Sequence, residues 1–213
     1  MRKLILLLLI FPLVTFAQVD LSAGMGINLT SHSSLKDYVN INFSSPGNEV
    51  KSFETEAEFF AEADYSISNQ FDVGLEYALS IYSYTNFIFL STYDLSFVSH
   101  KPSILGYYVI KGKGYKFKFG GGIGIRYNQL SEQLPTSTIQ KDYSTLGFGL
   151  LAKAVGITAL GKNIFAFIGT DARLDFPGEP ESSGKKIFNG ALNENLNLNS
   201  VSIGLKLGIT YSF

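Results

Sequence analysis

The chain has 213 residues, with 17 Lys or Arg against 18 Asp or Glu, a formal charge of −1, and neither Cys nor Trp. That balance offers no basic surface for nucleic acid, and without cysteine there is no disulfide framework and no lipid-modified cysteine anchor. Only 16% of the residues are charged, while 21 Gly, 18 Phe and 12 Tyr favour long strands with aromatic ends.

In chain order, residues 1–17 come first, "MRKLILLLLIFPLVTFA", with Arg2 and Lys3 ahead of an apolar run and Thr15-Phe16-Ala17 as a small-residue cleavage site. They read as a secretory signal peptide cleaved after Ala17, leaving residues 18–213 as one domain. The run breaks before the roughly 20 residues a spanning helix needs, and no later apolar stretch reaches that length. Cleavage leaves 15 basic against 18 acidic residues, a formal charge of −3.

Val19 to Leu29 alternates, with Val19, Leu21, Ala23, Met25, Ile27 and Leu29 on one side and Asp20, Ser22, Gly24, Gly26 and Asn28 on the other. The next segment, "ETEAEFFAEADYSI" from Glu54 to Ile67, carries acids at Glu54, Glu56, Glu58, Glu62 and Asp64. On a helix at about 100° per residue these five surround most of the cylinder, whereas on a strand they share one face. A strand is therefore predicted. Phe71 to Ile81 sets Asp72 and Glu76 opposite Phe71, Val73, Leu75, Tyr77, Leu79 and Ile81. Ile104 to Ile110 is apolar on both faces and gives the weakest strand signal, and Phe87 to Val98 also looks strand-like, a possible extension of that hairpin. Tyr115 to Tyr127, "YKFKFGGGIGIRY", places Lys116, Lys118, Arg126 and three glycines against aromatic and aliphatic residues. In the sixth strand, which carries Lys153, the phase slips near Ala154 to Ile157, as a bulge would cause. The seventh mixes Asp171, Arg173 and Asp175, and the last, Val201 to Phe213, alternates cleanly with Lys206 on its polar side.

Strands are thus expected at 19–29, 54–67, 71–83, 103–111, 115–129, 142–159, 164–175 and 198–213. Tight turns at Ser68-Asn69-Gln70, Gly112-Lys113-Gly114 and Gly161-Lys162-Asn163 alternate with long polar loops near 30–53, 84–102, 130–141 and 176–197.

Alternation alone leaves open whether the apolar face looks into a soluble, lipocalin-like barrel or out into lipid. The polar face is crowded with Gly and Ser, which suits a narrow eight-stranded lumen better than a solvated exterior. Acids gather on the second and third strands and bases on the fifth, sixth and eighth, so closure would set them against each other and avoid unpaired buried charge. The expected fold is all-β: an eight-stranded antiparallel transmembrane up-and-down β-barrel with both termini periplasmic and the long loops outside.

These features, with a last strand ending in Tyr211 and Phe213, resemble the small outer-membrane β-barrels of Gram-negative bacteria. The Leu-rich leader ending "FAQ" and the "GGGIGIRY" strand are most similar to the PorT-like outer membrane protein β-barrel family of Bacteroidota. The resemblance implies outer-membrane lipids as surroundings and insertion by the barrel assembly machinery, with Tyr211 and Phe213 as the assembly signal. The lack of Trp departs from the usual girdles, leaving Tyr and Phe to form them.

Chemistry is sparse by comparison. "GGGIG" at Gly120 to Gly124 does not open a helix, so it reads as lumen space and not as a phosphate loop. His32 and His100, the only histidines, fall in expected loops, which gives no metal site, and no cofactor is implied. His100 lies near Ser99 and Ser103, but no strand presents a Ser/His pair in phase for a lipid-modifying enzyme. Asp175, Glu179 and Glu181 in "DFPGEPE" read as a solvated loop in preference to a calcium site. The expected function is a non-enzymatic surface or scaffold barrel with a charge-filled lumen, its loops meeting an extracellular or envelope protein partner. The alternative is a narrow channel for ions or small solutes.

Overall fold

The computed structural model describes residues 19–213 except 45, 46, 48, 53, 89, 90 and 136. The expected signal peptide lies outside the described residues. Eight long strands follow one another: β1 (Val19–Ser31), β2 (Glu54–Ser66), β3 (Phe71–Ile88), β4 (Ser91–Gly112), β5 (Tyr115–Gln133), β6 (Lys141–Ala159), β7 (Ile164–Phe176) and β12 (Ser200–Ser212). Between β1 and β2 lies one helix, α1 (Ser33–Phe43). Between β7 and β12 come four two-residue strands, β8 (Glu181–Ser182), β9 (Lys185–Lys186), β10 (Phe188–Asn189) and β11 (Glu194–Asn195).

Each long strand pairs antiparallel with its neighbours in sequence, and β1 with β12 closes the ring. The result is a closed eight-stranded antiparallel barrel. Closure leaves no wall edge, so backbone groups are satisfied within the sheet, as a lipid setting requires. The two faces are inverted relative to a soluble protein. Leu75 is 62% and Ile123 64% exposed on the outside, while Arg126 and Lys206 are fully buried inside. That inversion decides against the lipocalin-like alternative.

Two local expectations are corrected. Residues 84–102 do not form a long loop; the strand-like pattern noted from Phe87 to Val98 does extend the hairpin. β3 and β4 stay paired from Phe71↔Tyr108 through Ile88↔Ser91, a hairpin reaching well past the last β2–β3 pair at Ala57↔Ile81. His100, expected in that loop, sits on β4. Nor is there a bulge in β6, whose ladders run unbroken from Tyr115↔Thr158 to Glu132↔Lys141 and from Phe148↔Phe176 to Ala159↔Phe165. The apparent slip has another cause. Val155 and Ile157 keep the inward phase of Lys153 and pack with Phe60, Ala78 and Phe167, because the lumen is apolar at that level. The both-faced apolarity of β4 has the same origin, since inward Leu105, Tyr107 and Val109 pack with Leu151.

Glycines in β5 permit the strands to approach. A Cβ on Gly122 would overlap the carbonyl oxygen of Ile104, whereas one on Gly106, facing outward, would meet open space. Gly122→Ala is therefore expected to destabilise the barrel by about 1–3 kcal/mol through forced backbone displacement, and Gly106→Ala to leave it unchanged. Urea unfolding followed by heat-modifiable gel mobility checks both.

Candidate functional site

The chemically dense region is the lumen and its long-loop mouth. Because strand side chains alternate, one row of each wall strand points inward, and these rows hold ten buried carboxylates against six buried Lys or Arg among the described residues. They form three tiers.

At the short-turn end, Asp20 receives Lys116 at 2.8 Å and Lys118 at 3.2 Å, and Lys118 also reaches Asp64 at 2.9 Å and Asp72 at 3.0 Å. In the middle tier Lys153 binds Glu62 and Glu76 across the lumen. Arg173 meets Asp171 at 2.7 Å, Glu76 at 2.8 Å and Glu58 at 3.4 Å, while Lys206 meets Glu58 at 2.6 Å, Asp171 at 2.8 Å and Glu76 at 3.4 Å. Neutral donors fill out the shell, with Tyr107 donating to Glu62 at 2.8 Å and Asn28 to Glu58 at 2.7 Å. The ring of Phe60 lies 5.3 Å from Lys206 Nζ and 5.4 Å from Lys153 Nζ, giving the ammonium groups a π face as well. In the upper tier Arg126 binds Asp175, and Lys101 stands 3.6 Å from Asp175 and 4.0 Å from Glu56. His32 Nε2 lies 3.1 Å from Glu56.

Above these tiers the mouth is closed by an apolar cluster. Leu35, Tyr38 and Val39 of α1 pack on Tyr93, Leu95 and Phe97 of β4 and Leu130 of β5, joined by Ile187, Leu196 and Leu198 from the last long loop. Phe43, at the end of α1, stacks on Tyr93 with ring centres 4.1 Å apart. Tyr38 and Tyr93 both donate to one oxygen of Glu132, at 2.8 and 3.0 Å. Burial first, and the Glu132 carboxylate second, push the Tyr38 phenol well above its ordinary value, so it remains a donor throughout the physiological range.

Of the residues singled out from sequence, Glu56, Glu58, Glu62, Asp64, Asp72, Glu76, Lys116, Lys118, Arg126, Lys153, Asp171, Arg173 and Lys206 lie at contact distances in these tiers. Glu54 stands apart at the rim, accepting a bond from the backbone N–H of Lys51. Four buried partners are additional: Asp20, Lys101, Glu132 and Asp175. Asp20 was legible as a polar-side residue of the first strand. Lys101 and Glu132 fell in stretches read as loop, and Asp175 was grouped with Glu179 and Glu181 as solvated. Asp175 is buried on β7, the strand expected to carry it, and is not part of a solvated loop, whereas Glu179 pairs with Lys186 at 2.6 Å on the surface.

The histidines are also relocated. His32 precedes α1 and reaches into the upper tier, while His100 points outward, its Nδ1 2.6 Å from the Tyr77 hydroxyl. Ser99 and Ser103 are buried on the inward face, so alternation separates them from His100. Tyr211 stacks edge-on with Phe213 at the outer short-turn rim, ring centres 4.8 Å apart.

No known protein-family profile and no curated protein sequence matches the chain. Among solved structures it is similar to Ail, the attachment invasion locus protein of Yersinia pestis, in complex with the heparin analogue sucrose octasulfate. The identity is 10% over 92% of this chain and 99% of that one, with a TM-score of 0.56. Neisserial surface protein A aligns at 16% identity over 92% and 97%, with a TM-score of 0.49. The outer membrane protease OmpT from Escherichia coli aligns at 9% over 92% and 96%, also with a TM-score of 0.49. At such identities the likeness to Ail shows the fold alone, that of an outer-membrane β-barrel. An apolar outer belt on this fold places the chain in the outer membrane.

Removing Lys118 would leave Asp20, Asp64 and Asp72 short of their shared cation. Lys118→Met is expected to cost about 3–5 kcal/mol, the range for breaking a buried pair. Lys186→Met, at the exposed Glu179 pair, should leave the unfolding temperature unchanged. Thermal unfolding of both variants in the same detergent decides it, and equal behaviour would dissolve the lower tier as a stabilising unit.

Proposed function

We propose that this chain is a closed, non-enzymatic surface barrel whose lumen is a polar core and whose long-loop end is the face presented to partners. The observation that carries this reading is the seat of α1 at the long-loop mouth, where Leu35, Tyr38 and Val39 are buried in one apolar cluster with Tyr93, Leu95, Phe97 and Leu130. A conducting path would need that apolar cluster to part and the cross-lumen contacts of Lys153, Arg173 and Lys206 to open together. Mixed charge supports the same reading, since selective pores are lined by rings of one sign. The separation of His100 from Ser99 and Ser103 removes the nearest candidate for a nucleophile and its base, which supports the absence of catalysis.

Within the outer-membrane barrels, the "GGGIGIRY" strand and the Leu-rich leader support kinship with the PorT-like family of Bacteroidota. We further infer that the barrel assembly machinery receives the chain through the aromatic pair Tyr211 and Phe213, and that an extracellular or envelope protein meets the capped end. The charge network then serves rigidity: it ties β2 and β3 to β6, β7 and β12 across the barrel, so the capped end rests on a stiff support.

Two outcomes are expected. The folded chain, reconstituted into a planar bilayer, should give no discrete conductance steps, and steps abolished by changing Lys153 or Glu62 would replace the closed reading with a channel. Phe213→Ala should lower the yield of heat-modifiable, membrane-inserted protein several-fold in cells while leaving detergent refolding intact, and an unchanged cellular yield would remove the aromatic pair from assembly.

A further inference from the structure

The short-turn end of the lumen holds more acid than base. Asp20, Asp64 and Asp72, on β1, β2 and β3, share two lysines of β5. Lys116 is bound to Asp20, and among the described residues Lys118 alone makes ion pairs with Asp64 and Asp72. An ammonium group has three N–H donors, and Lys118 has three aspartates within 3.2 Å, so no donor is left over. Asp64 gives its Oδ2 to Lys118 at 2.9 Å, while its Oδ1 is buried without a hydrogen-bond donor.

Beside Asp64 lies another carboxyl. Glu62 and Asp64 are two residues apart on β2, so both point into the lumen, where both are buried and their carboxyl groups are in hydrogen-bonding contact. Both oxygens of Glu62 already accept, Oε1 from the Tyr107 hydroxyl at 2.8 Å and Oε2 from Lys153, which is itself shared with Glu76. A Cβ on Gly74, the ladder partner of Asp64, would overlap Asp64 Oδ1, so the glycine leaves that oxygen its place. The titratable and charged groups around the pair are Asp20 on β1, Asp72 and Glu76 on β3, Tyr107 on β4, Lys118 on β5 and Lys153 on β6. With Glu62 and Asp64 that makes five carboxyls and two cations.

Two carboxylates in contact with no donor between them repel, and one proton turns the contact into a charge-assisted O–H···O bond. We propose that Asp64 carries this proton at neutral pH, donating from Oδ1 to Glu62 while Oδ2 still accepts from Lys118, which makes the short-turn end a pH-sensitive joint of the barrel. Charge then balances in the lower tier, since Asp20 and Asp72 remain for Lys116 and Lys118. The proton exchanges with the surroundings past Lys116, whose side chain is 12% exposed. An aspartate of the unfolded chain is ionised at neutral pH, so the folded chain holds one proton more and its stability falls as pH rises. For one proton the folding constant drops about tenfold per pH unit. The joint lies at the end away from the cap and is independent of any partner the cap receives.

The test uses the full mature chain folded in phosphatidylcholine bilayers. Infrared spectroscopy at neutral pH is expected to show the C=O stretch of a protonated carboxyl, lost in Asp64→Asn and kept in Asp72→Asn. Asparagine reproduces the protonated acid, with its carbonyl on Lys118 and its N–H on Glu62. Asp64→Asn should therefore unfold in urea as the parent does at neutral pH, whereas Asp72→Asn, which takes a carboxylate from Lys118, should unfold at lower urea. From neutral to mildly alkaline pH the folding constant of the parent should fall about tenfold per unit more steeply than that of Asp64→Asn. The proposal is overturned by a folded parent without the band, by a band that persists in Asp64→Asn, by equal pH slopes, or by failure of Asp64→Asn to fold. A parent stability that follows sodium concentration in place of pH would put a metal ion at the contact and overturn it as well.

Discussion

An ionised side chain inside an eight-stranded barrel has only the other groups of the lumen to pair with. Side chains nearly fill so narrow a space, and an unpaired charge there would cost several kcal/mol. The interior is organised by that constraint. Glu76 on β3 meets Lys153 from β6, Arg173 from β7 and Lys206 from β12. One carboxylate thereby connects strands that share no hydrogen-bonded ladder with its own. The glycine content serves the same end. A Cβ on Gly204 would run into Asn28 and Asp171, and one on Gly74 into Asp64, so the small residues make room for their charged neighbours.

The outside follows a different rule, set by depth. At membrane level the wall is covered by Leu, Ile, Phe and Tyr, and above it the same strands turn to Ser, Thr, Gln and Asp without a break in register. The inner face of that extension meets α1 and the Ile187 and Leu196 segment, because an apolar interior above the bilayer needs its own cover. A single continuous sheet therefore carries a polar core, a lipid interface, a capped mouth and a polar wall. The capped mouth is the element that distinguishes a sealed barrel from a pathway.

Much of the architecture was readable from alternation, since a period of two with Gly and charge on one side specifies the wall, its closure and its inward face. What was missed has physical reasons. The stretch 84–102 was placed among the loops, although Phe87 to Val98 showed strand alternation, because its outward face carries Ser, Thr and Asp while the apolar cluster that its inward residues Tyr93, Leu95 and Phe97 join is supplied by distant segments. α1, "SSLKDYVNINF", carries too few apolar residues to announce itself, and its packing is supplied by distant β4 and β5. The apparent bulge near Ala154 was a change in what the lumen contains and not in how the strand pairs. Lys101 and Glu132 were hidden by misplaced loop boundaries, whereas the long file from Glu56 to Asp64 was visible because every inward position but Phe60 is acidic.

The central claim is that the lumen is a sealed polar core. The chain has no cysteine of its own, so a single Ser80→Cys places one thiol on a fully buried inward position beside Glu58, and Ser83→Cys places its counterpart on the exposed wall. Reaction of each folded variant in bilayers with a small, water-soluble thiol reagent tests the claim most directly. The account predicts rapid labelling at position 83 and none at position 80 until the barrel is unfolded. Labelling of position 80 in the folded protein, at a rate approaching that of position 83, would contradict it.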